Sequence, residues 1–426
     1  MRILLLADVP PTASLTTGFG RVSMYIGSAL REAGHQVVQI GINYRDQGHH
    51  YPWNIIPTSD EDPLGNDLLV SLLSIKGDDY SFDLVVAFND LWICQRWFSI
   101  IDSVVVNHQI ARPKFCGYFP IDAAGIPEEL TRWLPYWNGV CTYTNWGAEQ
   151  LRRSGFNGFV TIIPHGVDIV MSADPTESFC LPEFAEAAWI VLRTDINRPR
   201  KRYDLTIQAF CEFAKDKPLP QRGGPLLWLH CAPMGDDLDV ARYYDRIMLQ
   251  MGCDPNQRPL MTTQTGDPSN VHPYVSDSVL SDIYRTASVY LQTSDAEGWG
   301  LCAVEAAKHG CLVVAGRHSV HEELWQDCAI LVDPVGQRAE TFGLYRVTPH
   351  GVIPVRVSVD YPVFVASAYA QGLQAAWENS PAVQQLRING TAKYSFPKYR
   401  WTTFEQLFRE WIEGILKESK QVEPCH

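Results

Sequence analysis

The sequence lacks paired cysteines, a long apolar run and an excess of positive charge. Its 11 Cys residues include no Cys-x-x-Cys pair and are odd in number, so a disulfide framework or a zinc knuckle is disfavoured. No apolar run reaches the roughly 18 residues that span a bilayer. The formal charge of −13 disfavours a protein held mainly by nucleic-acid phosphates. We therefore expect a cytoplasmic protein with no stable membrane span.

The sequence does contain two successive series of apolar strands and amphipathic helices. With 426 residues, of which 46% are hydrophobic, the chain is long enough for two or three domains with sizeable cores. Near-continuous apolar runs linked by helices are typical of parallel sheets covered on both faces. The pattern predicts one α/β domain over residues 1–172 and a second over residues 185–395. An amphipathic helix over residues 401–418 follows and can rejoin the first domain.

Three other segments carry local expectations. The boundary between the domains is expected after residues 164–168, in the acidic stretch 174–186 where periodicity lapses. Residues 127–137 have a helical pattern. Residues from about 333 to 361 contain Gly and Pro and are interpreted as an irregular insertion.

A glycine pair follows the first predicted strand, at Gly18 and Gly20. Glycines at the start of a helix let backbone N–H groups approach an anion. A dinucleotide fingerprint would need a third glycine where Ser23 stands and an acidic residue where Asn43 stands, so a nicotinamide dehydrogenase is disfavoured. A tight turn without a ligand remains the alternative.

The segment of residues 294–306 is the most informative. It runs from a predicted buried strand through glycines into a helix, which places the backbone amides of Gly298 to Leu301 near a helix N-terminus. Glu297 precedes these glycines, and Glu305 lies eight positions further on. Two carboxylates at these places can accept hydrogen bonds from one long polyhydroxylated ligand. Taken in isolation, Glu297 is equally well a charge that favours the helix dipole.

Glu297-Gly298-Trp299-Gly300-Leu301 with Glu305 resembles the Glu-x7-Glu signature of retaining family-4 glycosyltransferases. The resemblance implies the GT-B fold, an α/β fold of two facing Rossmann-like domains. It extends over nearly the whole chain in the right order, and likeness to viral members is visible at residues 18–22 and 200–202. The further matching segments are the glycine pair at 18–20, Pro-His-Gly-Val-Asp at 164–168, the basic turn at 200–205 and the Tyr-x-x-Ala-Ser-Val stretch at 284–289.

The resemblance implies a role for each matching residue. Glu297 would contact donor-sugar hydroxyls, Glu305 would bind the nucleotide ribose, and Lys201 with Arg200 would neutralise the diphosphate leaving group. Asp122 lies where the family often has a polar acceptor-side residue. The remaining residues implied in donor binding are Gly18, Gly20, His165, Gly166, Arg198, Gly298, Trp299, Gly300 and Leu301, with His165 acting through its backbone.

The chain departs from the family pattern at one charged position. The family usually has an Arg five residues before the Lys, and here that residue is Ile196. Arg198 or Arg193 could substitute. Trp299 for the commoner Phe and Cys302 for the commoner Pro keep the bulk.

Two charged runs have alternative interpretations. The basic run from Arg198 to Arg202 could contact nucleic-acid phosphates, or it could be a solvated helix start. Asp237 and Asp239 form an Asp-x-Asp that binds Mn²⁺ or Mg²⁺ in another glycosyltransferase fold. Because this run precedes a predicted helix, N-terminal capping is the favoured interpretation.

These observations predict transfer of a sugar from a nucleotide-sugar to an acceptor hydroxyl, with retention, without a metal and without a cofactor. The acceptor could be a glycan, a lipid or a modified nucleic acid, in the cytoplasm of a cell or of a virus-infected host. The alternatives are a GT-B epimerase or hydrolase of nucleotide-sugars, and an inactive GT-B carbohydrate-binding module. Retention of both glutamates and Lys201 disfavours the inactive module.

Overall fold

The computed structural model describes residues 1–9, 17–46, 48–75, 81–169, 185–186, 188–236, 238–253, 260–262, 275–348 and 351–418. The chain divides into two compact units. The first comprises Met1–Gly166, Ala339–Asp360 and the segment from Lys398 onward, and the second comprises Val167–Arg338 and Tyr361–Pro397. The predicted ranges 1–172 and 185–395 differ from these units chiefly at residues 339–360, which group with the first unit.

The first unit is built on a parallel sheet. Its order among the described residues is β3-β2-β1-β4-β5-β6-β7, and every pairing is parallel. The central strands β1 and β4 are buried at every residue but Arg2, because helices cover both faces. The strands are β1 (Arg2–Asp8), β2 (Gln36–Ile42), β3 (Asn54–Pro57), β4 (Leu84–Phe88), β5 (Lys114–Tyr118), β6 (Gly139–Thr142) and β7 (Thr161–Ile162).

The helices of the first unit include the last described helix of the chain. Trp401 at the start of that helix stacks on Tyr25 of the first helix, with ring centroids 4.2 Å apart. A side chain at Gly166 would overlap the Trp401 ring, so only glycine permits this approach. The helices are α1 (Gly18–Glu32), α2 (Asn66–Ser74), α3 (Leu91–His108), α4 (Asn145–Arg153) and, at the C-terminal end, α12 (Trp401–Lys417).

The second unit repeats the architecture. Its described strands form a parallel sheet in the order β10-β9-β8-β11-β12-β13. The strands are β8 (Trp189–Thr194), β9 (Pro225–His230), β10 (Leu260–Thr262), β11 (Val289–Gln292), β12 (Leu312–Gly316) and β13 (Ala329–Val332). The helices are α5 (Tyr203–Ala214), α6 (Val240–Met251), α7 (Asp277–Thr286), α8 (Leu301–Lys308), α9 (His321–Trp325), α10 (Ala366–Glu378) and α11 (Pro381–Ser395).

Two sequence-based expectations were wrong. Residues 127–137 do not form an α-helix; they form two 3-10 turns, Glu128–Leu130 and Leu134–Tyr136, because Pro135 cannot donate a helical hydrogen bond. The segment 333–361 is not irregular but forms a hairpin of β14 (Gly336–Thr348) and β15 (Gly351–Val363). Val357 and Val359 are buried while Ser358 and Asp360 between and after them are exposed, which is the period-two pattern of a strand.

The described part of the chain contains no helix that is both long and apolar enough to cross a membrane.

Candidate active site

The candidate site lies in the second unit, at the carboxyl ends of β8 and β11. These strands are neighbours at the centre of the sheet, and the strand order reverses between them: β9 lies beside β8 on one side, and β12 lies beside β11 on the other. Ligands of open parallel sheets bind outside the carboxyl ends at such a switch point. The loop after β8 carries the 3-10 turn Pro199–Lys201, and the loop after β11 carries Glu297.

Lys201 and Glu297 form a buried ion pair across this switch point. Lys201 Nζ lies 2.7 Å from Glu297 Oε1 and 2.9 Å from Asp195 Oδ2, and the side chains are only 6–13% exposed. Burial alone would raise the pKa of Glu297, but the positive charges of Lys201 and Arg200 outweigh it and hold that pKa well below its usual value. Glu297 is therefore a carboxylate at neutral pH.

Two further groups orient the Glu297 carboxylate. Gln292 Nε2 donates to Oε1 at 3.0 Å, and Arg200 Nη1 lies 3.8 Å from Oε2. Arg200 also donates to the carbonyl of Ala296, which fixes its guanidinium beside the Glu297 loop while the side chain stays 37% exposed. The site therefore combines a fixed carboxylate with a solvent-accessible cation.

Arg193 connects the loop after β8 with the loop after β11. It is fully buried, and its Nη2 donates to Ser294 Oγ at 2.9 Å and to the Lys201 carbonyl at 3.2 Å. Its Nη1 also donates to Gln292 Oε1. Its position inside an apolar strand was the available sequence signal, because a charge is buried only when it is paired. The resemblance had suggested Arg193 only as a substitute for the clamp arginine at Ile196.

A second ion-pair group supports the same loops. Arg202 lies 2.9 Å from Asp295 Oδ1, and Arg338 lies 2.8 Å from Asp295 Oδ2. Arg202 also makes two bonds to Asp204 at the start of α5. Its φ of 54° is left-handed, which turns the chain sharply from the 3-10 turn into α5. Neither Asp295 nor Arg338 was singled out from the sequence.

The glycine segment after Glu297 leads into α8 as predicted from its sequence. Gly300 is the N-cap with φ 79°, and it provides no side-chain cap to the first turn. Gly298, Gly300 and Leu301 are half-buried, whereas Trp299 is buried. Backbone N–H groups at such a helix start favour an anion or a hydroxyl oxygen.

Glu305 lies in the middle of α8 and is 3% exposed. Tyr284 Oη donates to its Oε2 at 3.0 Å. This bond fixes the carboxylate on the side of α8 that packs towards α7.

His318 and His321 follow β12 and are close neighbours of each other. Their ring centroids are 4.5 Å apart, and His321 Nδ1 lies 2.8 Å from the Gly316 carbonyl, so this nitrogen carries the proton. Burial lowers the pKa of His321 to about 4 and the pKa of His318 well below its usual value. Both rings are therefore neutral at neutral pH.

The residues of the basic run from Arg198 to Arg202 have different partners. Arg198 pairs with Asp236 at 3.1 Å, and both side chains are more than half exposed. Asp239 caps α6 by accepting from the Arg242 backbone N–H at 3.0 Å, as the capping interpretation predicted. Asp237 lies outside the described residues. Among those described, no group of three or more His, Cys, Asp or Glu is arranged to hold a metal ion.

The other predicted residues belong to the first unit. Gly18 and Gly20 form the first turn of α1, where Thr17 Oγ1 caps the Gly20 N–H at 2.9 Å. His165 is buried, its Nδ1 lies 2.9 Å from Tyr118 Oη, and burial lowers its pKa to about 3. Asp122 is half-buried after β5. The implied roles of these residues and of Gly166 remain predictions.

Residues 261–340, which include Glu297 and Glu305, match a family model described as glycosyl transferases group 1. No curated protein sequence matches the chain.

Solved structures similar to this chain include three with informative descriptions. Sucrose-phosphate synthase from Thermosynechococcus elongatus is 17% identical, with 97% of this chain and 99% of that chain covered and a TM-score of 0.67. OtsA, a trehalose-6-phosphate synthase, is 10% identical, with 99% and 100% covered and a TM-score of 0.60. A mutant of S. aureus TarM, in complex with fondaparinux, alpha-GlcNAc-glycerol and UDP, is 13% identical, with 83% and 59% covered and a TM-score of 0.51.

At such low sequence identity, the structural similarity shows the fold alone. The fold consists of two α/β Rossmann-like domains with parallel sheets, as in GT-B glycosyltransferases. The fold prediction is confirmed. Together with the group 1 match across the Glu297 segment, the fold supports a glycosyltransferase of the GT-B type.

Proposed function

We propose that the protein is a retaining, metal-independent glycosyltransferase that moves a sugar from a nucleotide-sugar to an acceptor hydroxyl. The observation that carries the proposal is the buried pairing of Lys201 with Glu297 beside the uncapped start of α8. This arrangement lies at the switch point of a Rossmann-like sheet and within the segment that matches the group 1 family model. UDP in the TarM complex supports a nucleotide-linked donor.

Lys201 and Arg200 would supply positive charge and hydrogen-bond donors to the departing diphosphate. A lysine ammonium has three N–H donors, and the two carboxylates at Lys201 account for two of them. The third can donate to a diphosphate oxygen. Arg200, at 37% exposure, adds a second charge that never deprotonates. Because both cations are fixed before the donor binds, they stabilise the developing charge without reorganisation.

Glu297 supplies an acceptor for sugar hydroxyls. Its charge is maintained by Lys201 and Arg200 and its orientation by Gln292. A carboxylate held in this way keeps its charge and its orientation, and it accepts hydrogen bonds from hydroxyl groups. The backbone amides from Gly298 to Leu301 would bind the sugar or the phosphates, and Glu305 would bind the ribose.

The proposed reaction needs no nucleophile from the protein. The bond between the anomeric carbon and the diphosphate oxygen breaks while the acceptor oxygen forms its bond on the same face. The proton of the acceptor hydroxyl passes to the leaving phosphate oxygen. Catalysis then rests on positioning and on stabilising the leaving charge. No metal ion and no cofactor enters this scheme, and the acceptor is a glycan, a lipid or a modified nucleic acid.

The test is incubation of the protein with a panel of nucleotide-sugars, with and without pooled acceptors. Released nucleoside diphosphate and thermal stabilisation are measured on the same samples. Transfer predicts release that depends on the acceptor, whereas a hydrolase releases the diphosphate without any acceptor. An epimerase converts the donor without releasing it, and an inactive module shows stabilisation alone. The Lys201→Met variant should lose both the release and the stabilisation by the matching donor.

A further inference from the structure

Tyr284 lies on α7, and its hydroxyl bonds to a residue of the proposed donor site. Tyr284 Oη donates to Glu305 Oε2 of α8 at 3.0 Å. The tyrosine is fully buried, and Glu305 is only 3% exposed. The reaction scheme gives Glu305 the ribose of the donor but gives Tyr284 no role.

The neighbouring hydroxyl groups fix the direction of the Tyr284 proton. Tyr290 Oη donates its single proton to the Thr194 carbonyl at 2.5 Å. Thr194 Oγ1 lies 3.4 Å from each of the two tyrosine oxygens. Compared with this hydroxyl, the Glu305 carboxylate is both the closer and the stronger acceptor. The Tyr284 proton therefore points to Glu305, and Thr194 is the donor to Tyr284.

The Tyr284 hydroxyl remains a donor at neutral and moderately alkaline pH. Burial raises its pKa well above the usual value, and the nearby Cys302 and Glu305 add to the rise. A protonated phenol beside a carboxylate holds that carboxylate in one orientation through a charge-assisted hydrogen bond.

Other contacts hold α7 against α8 without the Tyr284 hydroxyl. His309 Nδ1 lies 2.8 Å from the Glu305 carbonyl, so this nitrogen carries the proton and Nε2 accepts from Ser281 Oγ at 2.9 Å. The Tyr284 ring also packs against His309 and Tyr290, with ring centroids 5.7 and 6.5 Å away. Loss of the hydroxyl oxygen alone should therefore leave α7 in place and remove a bond that orients the Glu305 carboxylate.

The same chain of hydroxyl groups ends at the strand that precedes the diphosphate cations. Thr194 is the last residue of β8, and Asp195 directly after it lies 2.9 Å from Lys201 Nζ. Buried hydrogen bonds thus run from Glu305 through Tyr284 to Thr194, beside the partner of Lys201. The carboxylate is oriented relative to the strand that leads into the diphosphate site.

We propose that Tyr284 is a positioning residue, which orients Glu305 so that the donor site selects nucleotides with ribose hydroxyls over nucleotides that lack them. The inference rests on the proposed nucleotide-sugar donor and on the role of Glu305 in binding it. A carboxylate that is already oriented accepts a hydroxyl without further loss of conformational freedom. A nucleotide without ribose hydroxyls gains nothing from this orientation, so Tyr284 should govern the discrimination between the two.

The test measures this discrimination by calorimetric titration. The probes are UDP, GDP, ADP and their 2′,3′-dideoxy forms, and the discrimination ratio is the dissociation constant of the dideoxy form divided by that of the ribonucleotide. With at least one base, the ratio for the wild type should be about 10 or more, as for a charge-assisted hydrogen bond. Tyr284→Phe should lower this ratio by about 5-fold, mainly by weakening the ribonucleotide. A wild-type chain without discrimination, or a ratio unchanged in Tyr284→Phe, would overturn the proposal.

Tyr394→Phe is the matched control for loss of a buried tyrosine hydroxyl. Tyr394 lies on α11 of the same unit, is 1% exposed, and donates from Oη to the Leu324 carbonyl at 2.8 Å. This variant should be destabilised towards urea like Tyr284→Phe but should keep the wild-type ratio. An equal fall of the ratio in both variants would assign the effect to stability and contradict a positioning role.

Two further variants test whether the effect passes through Glu305. In a Glu305→Gln background, Tyr284→Phe should no longer change the ratio, because the carboxylate that it orients is gone. Thr194→Val removes the donor to Tyr284 and should lower the ratio by about 2-fold, which also gives a test that does not depend on the folding of Tyr284→Phe. An equal effect of Tyr284→Phe in both backgrounds, or a silent Thr194→Val, would count against the proposal.

Failure of this inference and failure of the proposed function give different results. Discrimination that depends on Tyr284, without sugar transfer to any acceptor, would remove the proposed reaction and leave the positioning role. Transfer with a ratio that is insensitive to Tyr284→Phe would do the reverse. Absence of binding by all three ribonucleotides would overturn both.

Discussion

Lys201 Nζ lies 2.7 Å from Glu297 Oε1, and each side chain is no more than 10% exposed. The two residues come from loops that follow adjacent strands, 96 positions apart in the chain. Their pairing sustains the charge of Glu297, because burial alone would raise the pKa of this carboxyl and the positive charge of Lys201 lowers it. It links the stability of the second unit to the chemistry proposed for it.

Lys201→Met should lower the free energy of unfolding by about 3–5 kcal/mol, because it leaves Glu297 and Asp195 buried without their main counter-charge. Adding Glu297→Gln to this variant should recover part of the loss. Urea denaturation of both single variants and the double variant measures the coupling. Arg198→Met is the matched control, since its exposed pair with Asp236 should contribute no more than about 1 kcal/mol. Strictly additive losses would contradict a coupled pair.

The pH dependence of this pair has a definite sign. The pKa of Glu297 lies below its usual value in the folded protein, so its contribution to stability is complete above the unfolded pKa and is lost as pH falls through the folded pKa.

Glu297→Gln should reduce turnover by about 100-fold or more with folding intact, because the neutral amide accepts sugar hydroxyls less strongly as the transition state forms. Circular dichroism checks the fold, and steady-state kinetics with the donor found in the panel measures turnover. Glu212→Gln, an exposed glutamate on α5 of the same unit, should behave as wild type. Wild-type turnover in Glu297→Gln would remove this residue from the site.

Arg198→Ala should weaken nucleoside-diphosphate binding by about 10- to 150-fold if Arg198 replaces the family arginine, since a charge-assisted hydrogen bond contributes about 1.5–3 kcal/mol. Ile196→Arg should then add little. Asp236→Asn releases Arg198 from its partner and should leave binding equal or tighter. Calorimetric titration of the three variants with the nucleoside diphosphate measures these affinities. A silent Arg198→Ala with tighter binding by Ile196→Arg would mean that Arg198 does not compensate.

Activity should persist in excess chelator, because Lys201 and Arg200 are proposed to neutralise the leaving diphosphate. The measurement is the rate of diphosphate release before and after dialysis against EDTA. Abolition by EDTA with rescue by Mn²⁺ would instead implicate Asp237 and Asp239. The bond from the Arg242 N–H to Asp239 makes a structural role the simpler account of that carboxylate.

Asp8→Asn should stabilise the protein most at pH 8 and least at pH 5. The folded-state pKa of Asp8 is about 7, above its unfolded value of about 3.9, so the folded protein holds this proton more tightly. Stability is therefore lost as pH rises from about 4 to about 7. Urea midpoints of wild type and Asp8→Asn at pH 5, 6.5 and 8 test this, with Asp67→Asn, at an exposed position of α2, as control. A constant difference at every pH would be inconsistent with titration of Asp8.

The amino-acid sequence by itself determined the features that depend on neighbours along the chain. Apolar runs separated by helices specified two parallel sheets, because a strand buried on both faces must be apolar throughout. Glycines at positions 298 and 300 between a strand and a helix indicated the uncapped start of α8, which the structure has at Gly300. The hairpin at 336–363 was missed although its alternation is local, because Gly and Pro were given more weight than the period of two.

Only the tertiary structure decided which charges meet. Asp195 and Gln292 join the Lys201–Glu297 pair because β8 and β11 are adjacent in the sheet, and no spacing in the sequence encodes that adjacency. Arg193 became the link between two loops for the same reason. Asp8 acquired its raised pKa from burial and from Asp90, more than 80 positions away. Charge and burial act through space. The residue types in the sequence therefore indicated which side chains could belong to the site, and the order of the strands determined which of them lie together.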